Sequence, residues 1–219
     1  MNVSEALHRR SSVRAFLPTS VSDDTIRELL ELAGRAPSGG NVQPWRVYVL
    51  NGEALTSFVK FLNGRSIEAP GYAVYPAGLP EPYRSSRYDL GEAMYELLGI
   101  AREDKAGRFG HLARNFMFFD APAAIFCFVD KVMGPPQWSD LGMFLQSFML
   151  AATDAGLDTC PQEAWVNWAG AVHEYVGAPE NEMMFCAVAL GHRDPLAPVN
   201  ALVSERRPVD EWTRWVRPQ

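Results

Sequence analysis

The chain has 219 residues, enough for one substantial hydrophobic core and short for two. Hydrophobic residues make up 47% and charged residues 21%, which excludes wholesale disorder. With 26 acids against 20 bases the net charge is −6, the wrong sign for the basic footprint of nonspecific nucleic-acid binding.

The first residues, MNVSEALHRRSSVRAF, lack the apolar run of a secretory signal. Asn2 or Ser4 caps a short helix ending near Arg10. Ser22, followed by Asp23 and Asp24, reads as the next helix start, with acids in its first turn. Ile26, Leu29, Leu30 and Ala33 then share one helix face, and Gly34 and Pro37 end it. Pro37–Asn41 is irregular and leads into a strand over Trp45–Leu50. Residues 52–63 read as a helix. From Pro70 to Pro82, four prolines and two glycines in 13 residues make a loop. Residues 88–99 and 102–119 read as helices, so 65–120 forms an irregular, partly helical insertion.

Ala123–Val129 and Met183–Leu190 are apolar throughout, as strands covered on both faces are, so helices are expected on each side of a sheet. Leu141, Phe144, Leu145, Phe148 and Ala152 make the stripe of a buried helix. Its uncharged run, Leu141–Thr153, has 13 residues where a membrane span needs about 20. The C-terminal EWTRWV reads as a docking helix. The expected fold is a single α+β domain over residues 1–219, a sheet wrapped by helices.

Three segments carry chemistry. Arg9–Arg14 holds three guanidiniums and two hydroxyls in six residues: either a solvated basic helix end or a phosphate cradle, with Arg206-Arg207 as a second basic cluster. Ala36–Trp45 combines adjacent glycines with Ser38, Asn41 and Gln43. That suits a planar heterocycle with amide-like edges, or is a plain helix-to-strand turn. It lacks the endings of a P-loop and the GxGxxG spacing. Asp158–Ala164 places the Pro161–Ala164 backbone where free N–H groups can meet an anion or a ring atom. Cys160 in this segment reads as a structural thiol, because no histidine or lysine is near it in sequence. Cys127, Cys160 and Cys186 form neither a disulfide framework nor a zinc spacing and fit a reducing, cytoplasmic setting. His8, His111, His173 and His192 make no metal-spaced cluster, so no metal is expected.

Taken together, RRSSVRAF at 9–16, PSGGNVQPW at 37–45, LDTCPQEA at 157–164 and LGHR with SERRP at 190–208 resemble the FMN-dependent nitroreductase family over nearly the whole chain. PYRSSR at 82–87 and RNFMFFDAP at 114–122 are similar to its subgroup that reduces nitrobenzoates and dinitroanilines. The resemblance implies a central mixed or antiparallel sheet and an intertwined homodimer with FMN at the interface. It also implies NAD(P)H as co-substrate and a nitroaromatic as substrate, with no nucleic-acid or membrane partner. It assigns Arg10, Ser11, Ser12, Arg14 and Arg206 to the phosphate and the pyrimidine side of the flavin. Pro37, Ser38, Gly39 and Asn41 would come from the partner chain. Pro161, Gln162, Glu163 and Ala164 lie at the ring, with the Glu163 and Ala164 backbone near N5, and Asn115 or Arg114 also bonds the ring. No catalytic acid or base is implied. Gly40, Phe116, Phe119, Tyr83 and Arg84 are candidates to line the substrate pocket, although aromatics at helical spacing also suit a core and Arg84 a solvated loop.

Two positions depart from the family pattern. Ser204 stands where a lysine is common, so Arg9 or Arg207 would supply that charge, and Ala164 replaces a glycine. Other readings stay open at this point: reduction of quinones, enones or halogenated aromatics on the same fold, or a protein that only sequesters flavin.

Overall fold

A computed structural model describes residues 1–218. Four strands, β1 (Arg46–Asn51), β2 (Ala123–Asp130), β3 (Asp158–Gln162) and β4 (Glu182–Gly191), form one sheet in the order β1-β2-β4-β3. Every pairing is antiparallel. The unbroken apolar runs therefore reflect cover on both faces and not parallel pairing.

Along β2 the alternation is strict. Ala124, Phe126 and Phe128 enter an aromatic layer with Phe58, Phe118 and Trp165, while Ala123, Ile125, Cys127 and Val129 enter an aliphatic one. A register shift between Cys127 and Phe128 gives β4 one extra residue, Phe185. Such a bulge lets Met184 and Ala187 share the aromatic face. At its end Gly191 has no room for a side chain: a Cβ would lie 2.6 Å from Pro122 Cδ.

The aliphatic layer is covered by α2 (Asp23–Ala33) and α6 (Pro135–Asp154). Ser22 caps α2 by accepting from Thr25 N–H at 3.0 Å, and Ile26, Leu29 and Ala33 are its buried positions. Leu141, Phe144, Leu145, Phe148 and Ala152 are all buried, and Trp45 stacks on Phe144 with ring centroids 5.0 Å apart. The aromatic layer is covered by α3 (Glu53–Phe61), α7 (Ala169–Val176) and the 3₁₀ segment Glu163–Trp168.

The insertion contains α4 (Tyr83–Leu97) and α5 (Lys105–Ala113). The helix expected over 102–119 breaks: Arg114–Asp120 is a 3₁₀ segment in which Phe118, Phe119 and Asp120 all have positive φ. Three left-handed residues in a row cost about 1–2 kcal/mol each, and complete burial of the two phenyl rings offsets that cost. The C-terminal helix is also shorter than expected. α8 covers only Val209–Trp212, and Thr213 is extended, so Trp215 and Val216 stand almost fully exposed instead of docking on this chain. Among the described residues no helix is long and apolar enough to cross a membrane.

Candidate flavin site

The basic segment follows α1 (Val3–Arg9), whose start is tied to α6 by an ion pair from the Met1 amine to Asp154 at 2.7 Å. Beyond it the chain runs beside β3: Ser12 bridges Thr159, and Val13 N–H donates to Thr159 O at 3.0 Å. Asn200 staples the same stretch from the C-terminal side. Its Oδ1 accepts from Arg14 N–H at 2.9 Å and its Nδ2 donates to Ala15 O at 2.8 Å. Arg193, held by Asp158, reaches Ser11 Oγ at 3.3 Å, so one of the two hydroxyls already has a protein partner. Arg14 Nη1 donates to Ser12 O at 3.2 Å, which leaves most of its donors free.

The termini do meet. Burial lowers the Arg10 pKa, and the positive charge of Arg206 lowers it further. No carboxylate pairs with Arg10, Arg14 or Arg206 among the described ion pairs. Like charges gathered in a chain that is acidic overall are the arrangement of an anion site. Cys160 lies beneath it, and burial raises its thiol pKa to about 11 against the opposing pull of Arg14 and Arg10, so it is an uncharged structural thiol.

Beyond β3, Gln162 is 2% exposed and clamps the 3₁₀ segment: its Nε2 donates to Asn115 O at 2.8 Å and lies 3.3 Å from Asn115 Oδ1. Asn115 Nδ2 in turn donates to Leu112 O at 2.9 Å, so the Asn115 amide is held from both ends. Gln162 Oε1 is buried without a partner. Burial raises the Glu163 carboxyl pKa, and the Ala164 carbonyl accepts from Asn167 Nδ2 at 2.9 Å. Arg114 pairs with Asp120 at 2.7 Å, which favours Asn115 over Arg114 as the ring-side group. His111, 6% exposed between Tyr95 and Phe119, keeps its Nε2 unpartnered, and burial together with Arg114 and Arg14 lowers its pKa.

The Pro37–Asn41 loop lies elsewhere. Gly39 N–H donates to Asp140 at 3.3 Å, near the start of α6, and Gln43 N–H donates to Ser38 Oγ at 3.0 Å. Gly40 and Asn41 both have φ of 58°, a conformation glycine adopts freely and asparagine tolerates. Pro37, Gly39, Gly40 and Asn41 are exposed and Ser38 is half-buried. Asp140 and Asp154, the two anchors on α6, are fourteen residues apart, about 21 Å of helix at 1.5 Å per residue. One chain presents the loop near the start of α6 and the arginine segment beside β3, which follows the helix's other end.

The pocket candidates divide. Phe119 is 1% exposed within the core, so it lines no open surface of this chain: the left-handed turn drives its ring inward. Phe116 packs edge-on against Trp165 and Trp168. Tyr83 is exposed at the start of α4. Arg84 pairs with Glu81 at 2.6 Å, with both side chains exposed. The Arg207 guanidinium lies over the Tyr83 ring. Asp140, Asn200 and the Arg193–Asp158 pair were not singled out from sequence. Only Asp140 leaves a signal there, as the one charge in α6 before Asp154.

Residues 7–192 match the family model described as the nitroreductase family, and the chain belongs to that family. Among its relatives is the 4-nitrobenzoate reductase of Nocardioides sp. (strain LMS-CY), 36% identical over 92% of this chain and 84% of that protein. The crystal structure of the FMN and NADPH-dependent nitroreductase NfnB from Sphigopyxis sp. strain HMH superposes with a TM-score of 0.95. It is 42% identical and covers 99% of this chain and 100% of that one. The FMN-dependent nitroreductase NfnB from Mycobacterium smegmatis, solved in complex with NADPH, gives a TM-score of 0.90 at 31% identity, over 99% of this chain and all of that one.

Proposed function

We propose that this chain is an FMN-dependent oxidoreductase that uses NAD(P)H to reduce nitroaromatic compounds, working as a homodimer. The observation that carries the reading is the basic segment laid beside β3, where Arg10 and Arg14, with the charge of Arg206 near Arg10, have no ion-pair partner among the described residues. A phosphate monoester bearing about −1.5 to −2 charges supplies the missing counter-ion. Relatives that act on 4-nitrobenzoate and neighbours that use FMN and NADPH support the choice of ligand and substrate.

On this reading Arg10, Arg206 and the Ser11 and Ser12 hydroxyls hold the phosphate, and Arg14 donates at the pyrimidine edge. Asn115, fixed by Gln162, would bond the ring, and the Pro161–Ala164 backbone would lie at the ring with Glu163 and Ala164 near N5. Bound FMN supplies hydride acceptance and donation at N5, chemistry that no side chain here provides. The protein's part is orientation and charge: Arg14 and neighbouring N–H groups stabilise negative charge where the ring gains it. Overall, R–NO2 with NAD(P)H and H+ gives R–NO, NAD(P)+ and water, and a second equivalent gives R–NHOH. Nicotinamide and nitro compound take the same place in turn, so ping-pong kinetics are expected.

A second chain is invoked because the Pro37–Asn41 loop is tied to Asp140 near the start of α6, whereas the arginine segment runs beside β3, which follows the other end of that helix. In the dimer the Pro37–Asn41 loop of one protomer meets the arginine cluster of the other. The exposed Trp212, Trp215 and Val216 of the C-terminal segment are apolar surface for that interface. Three free, buried cysteines accord with a cytoplasmic location.

The test is an anaerobic absorbance spectrum of the purified protein, before and after NADPH or NADH, then after 4-nitrobenzoate. Flavin bands that bleach with nicotinamide and return with the nitro compound support both halves. Bound flavin that neither donor reduces sinks the oxidoreductase reading, and a preparation that takes up no FMN sinks the cofactor assignment.

A further inference from the structure

We propose that the exposed face of α4 carrying Tyr83 and Arg87, together with Arg207, binds the 2′-phosphorylated adenosine end of the nicotinamide dinucleotide and makes the chain prefer NADPH to NADH. This rests on the oxidoreductase reading above and adds a site for the part of the donor that does no chemistry.

The arginines in and around the insertion are mostly neutralised. Arg65 pairs with Glu174 at 2.8 Å, Arg84 with Glu81 at 2.6 Å, Arg108 with Glu92 at 2.6 Å and Arg114 with Asp120 at 2.7 Å. Arg87 and Arg207 are handled differently. The Arg87 guanidinium carbon lies 4.4 Å from the centroid of the Tyr75 ring, and that of Arg207 lies 5.4 Å from the centroid of Tyr83. Neither has a carboxylate partner among the described residues. A guanidinium laid on an aromatic face is positioned without being neutralised, and its N–H edge remains free for bidentate contact with a phosphate.

Tyr83 and Arg87 are four residues apart in α4 and so share a helix face, and Arg207 lies over the Tyr83 ring. Tyr83 and Tyr75 are 53% and 51% exposed, so their rings remain open to a purine as well. Flat aromatic surface beside phosphate-binding arginines suits a phosphorylated adenosine, because every base has a face to stack and a phosphate dianion matches two guanidiniums. A benzoate substrate, with one negative charge, asks for less.

The position agrees with a remote end of the donor. Arg207 follows Arg206, and consecutive Cα atoms are about 3.8 Å apart, so this surface borders the anion site where Arg206 lies in the field of Arg10. Trp212 Nε1 donates to Arg207 O at 3.3 Å and fixes the backbone that carries the arginine. The 2′-phosphate is the group by which NADPH differs from NADH, and a site for it outside the flavin cavity lets selectivity be set without disturbing the ring.

The test uses the FMN-loaded protein. Adenosine 2′,5′-bisphosphate and 5′-AMP are titrated calorimetrically into wild type, Arg87→Ala, Arg87→Lys and Arg207→Ala, and flavin reduction by NADPH and by NADH is followed in each. Wild type is expected to bind the bisphosphate at least tenfold more tightly than AMP. Both alanine variants lose that margin, and KM for NADPH rises at least tenfold more than KM for NADH; Arg87→Lys restores part of both. Equal affinity for the two nucleotides in wild type, or equal loss for both donors in the variants, overturns the proposal. If neither donor reduces the flavin, the oxidoreductase reading fails separately, and the nucleotide titration alone still decides this surface.

Discussion

The sheet with its two layers and the insertion are built from different forces. On the aromatic side of the sheet Phe58, Phe118 and Phe126 all contact Trp165, at centroid distances of 4.5–5.4 Å, and all four side chains are fully buried. In the insertion almost all of the first half of α4 is exposed, and its links are polar: Glu92 to Arg108, Arg108 over Tyr95, Arg84 to Glu81. Apolar burial carries no charge to screen or titrate, whereas exposed ion pairs are worth little and respond to both salt and pH. The segments proposed to hold flavin lie on the first kind of structure, and the surface proposed to meet the outer part of the donor lies on the second. Rigid support where a cofactor stays, and adjustable support where substrates come and go, is the division this predicts.

The largest test is on the rigid side. Trp165→Ala removes the ring on which three phenylalanines converge and is expected to cost about 3–5 kcal/mol, measured by chemical denaturation. A loss below about 1 kcal/mol breaks the contrast. Next, Arg10→Ala and Arg206→Ala are each expected to weaken FMN binding about tenfold or more, read from recovery of free-flavin fluorescence, since a charged hydrogen bond contributes about 1.5–3 kcal/mol. Substituting Tyr83 is expected to leave FMN affinity within about twofold, so comparable losses at both places erase the division.

A smaller effect concerns Glu163. Burial raises its pKa, so its stabilising contribution is complete below the ordinary carboxylate pKa and is lost as pH rises through the raised value. Glu163→Gln removes that dependence, and the variant's Tm is expected to gain on wild type between pH 4 and pH 7; a constant difference contradicts the shift. The smallest belongs to the insertion. The Arg108 side chain holds the Glu92 pKa below its usual range, so this pair contributes above the unfolded carboxylate pKa and is lost as pH falls through the lower folded value. Glu92→Gln is expected to speed amide exchange in α4 and α5 while Ala123–Val129 is unchanged, and wild type should approach the variant as the pH is lowered.

What could be read from residues follows the same division. β2, β4 and the α6 stripe were visible because burial imposes runs and periods, and the cap at Ser22 because local hydrogen bonding does. Strand direction was not, since an antiparallel strand covered on both faces has the same composition as a parallel one. The end of the helix expected over 102–119 was hidden because Phe118 and Phe119 take left-handed backbone for the sake of contacts that include Trp165, far along the chain. The docking helix read into EWTRWV failed for the opposite reason: nothing in this chain covers its aromatic residues. At the site, clustered arginines and glycines were legible from their neighbours. Asn200 was not, because a single asparagine has no sequence pattern and acts on Arg14 across 186 positions.

The two anchors on α6 carry one more consequence. If each site draws on both ends of that helix from different protomers, a lesion at Arg10 and a lesion in the Pro37–Asn41 loop fall on opposite sides of the same interface. Two inactive parents, one carrying each lesion, would then complement when mixed: in the hybrid, both lesions gather in one site and the other is assembled entirely from intact halves. Flavin would return to half of the sites in such hybrids, and dilution that separates the chains would release it.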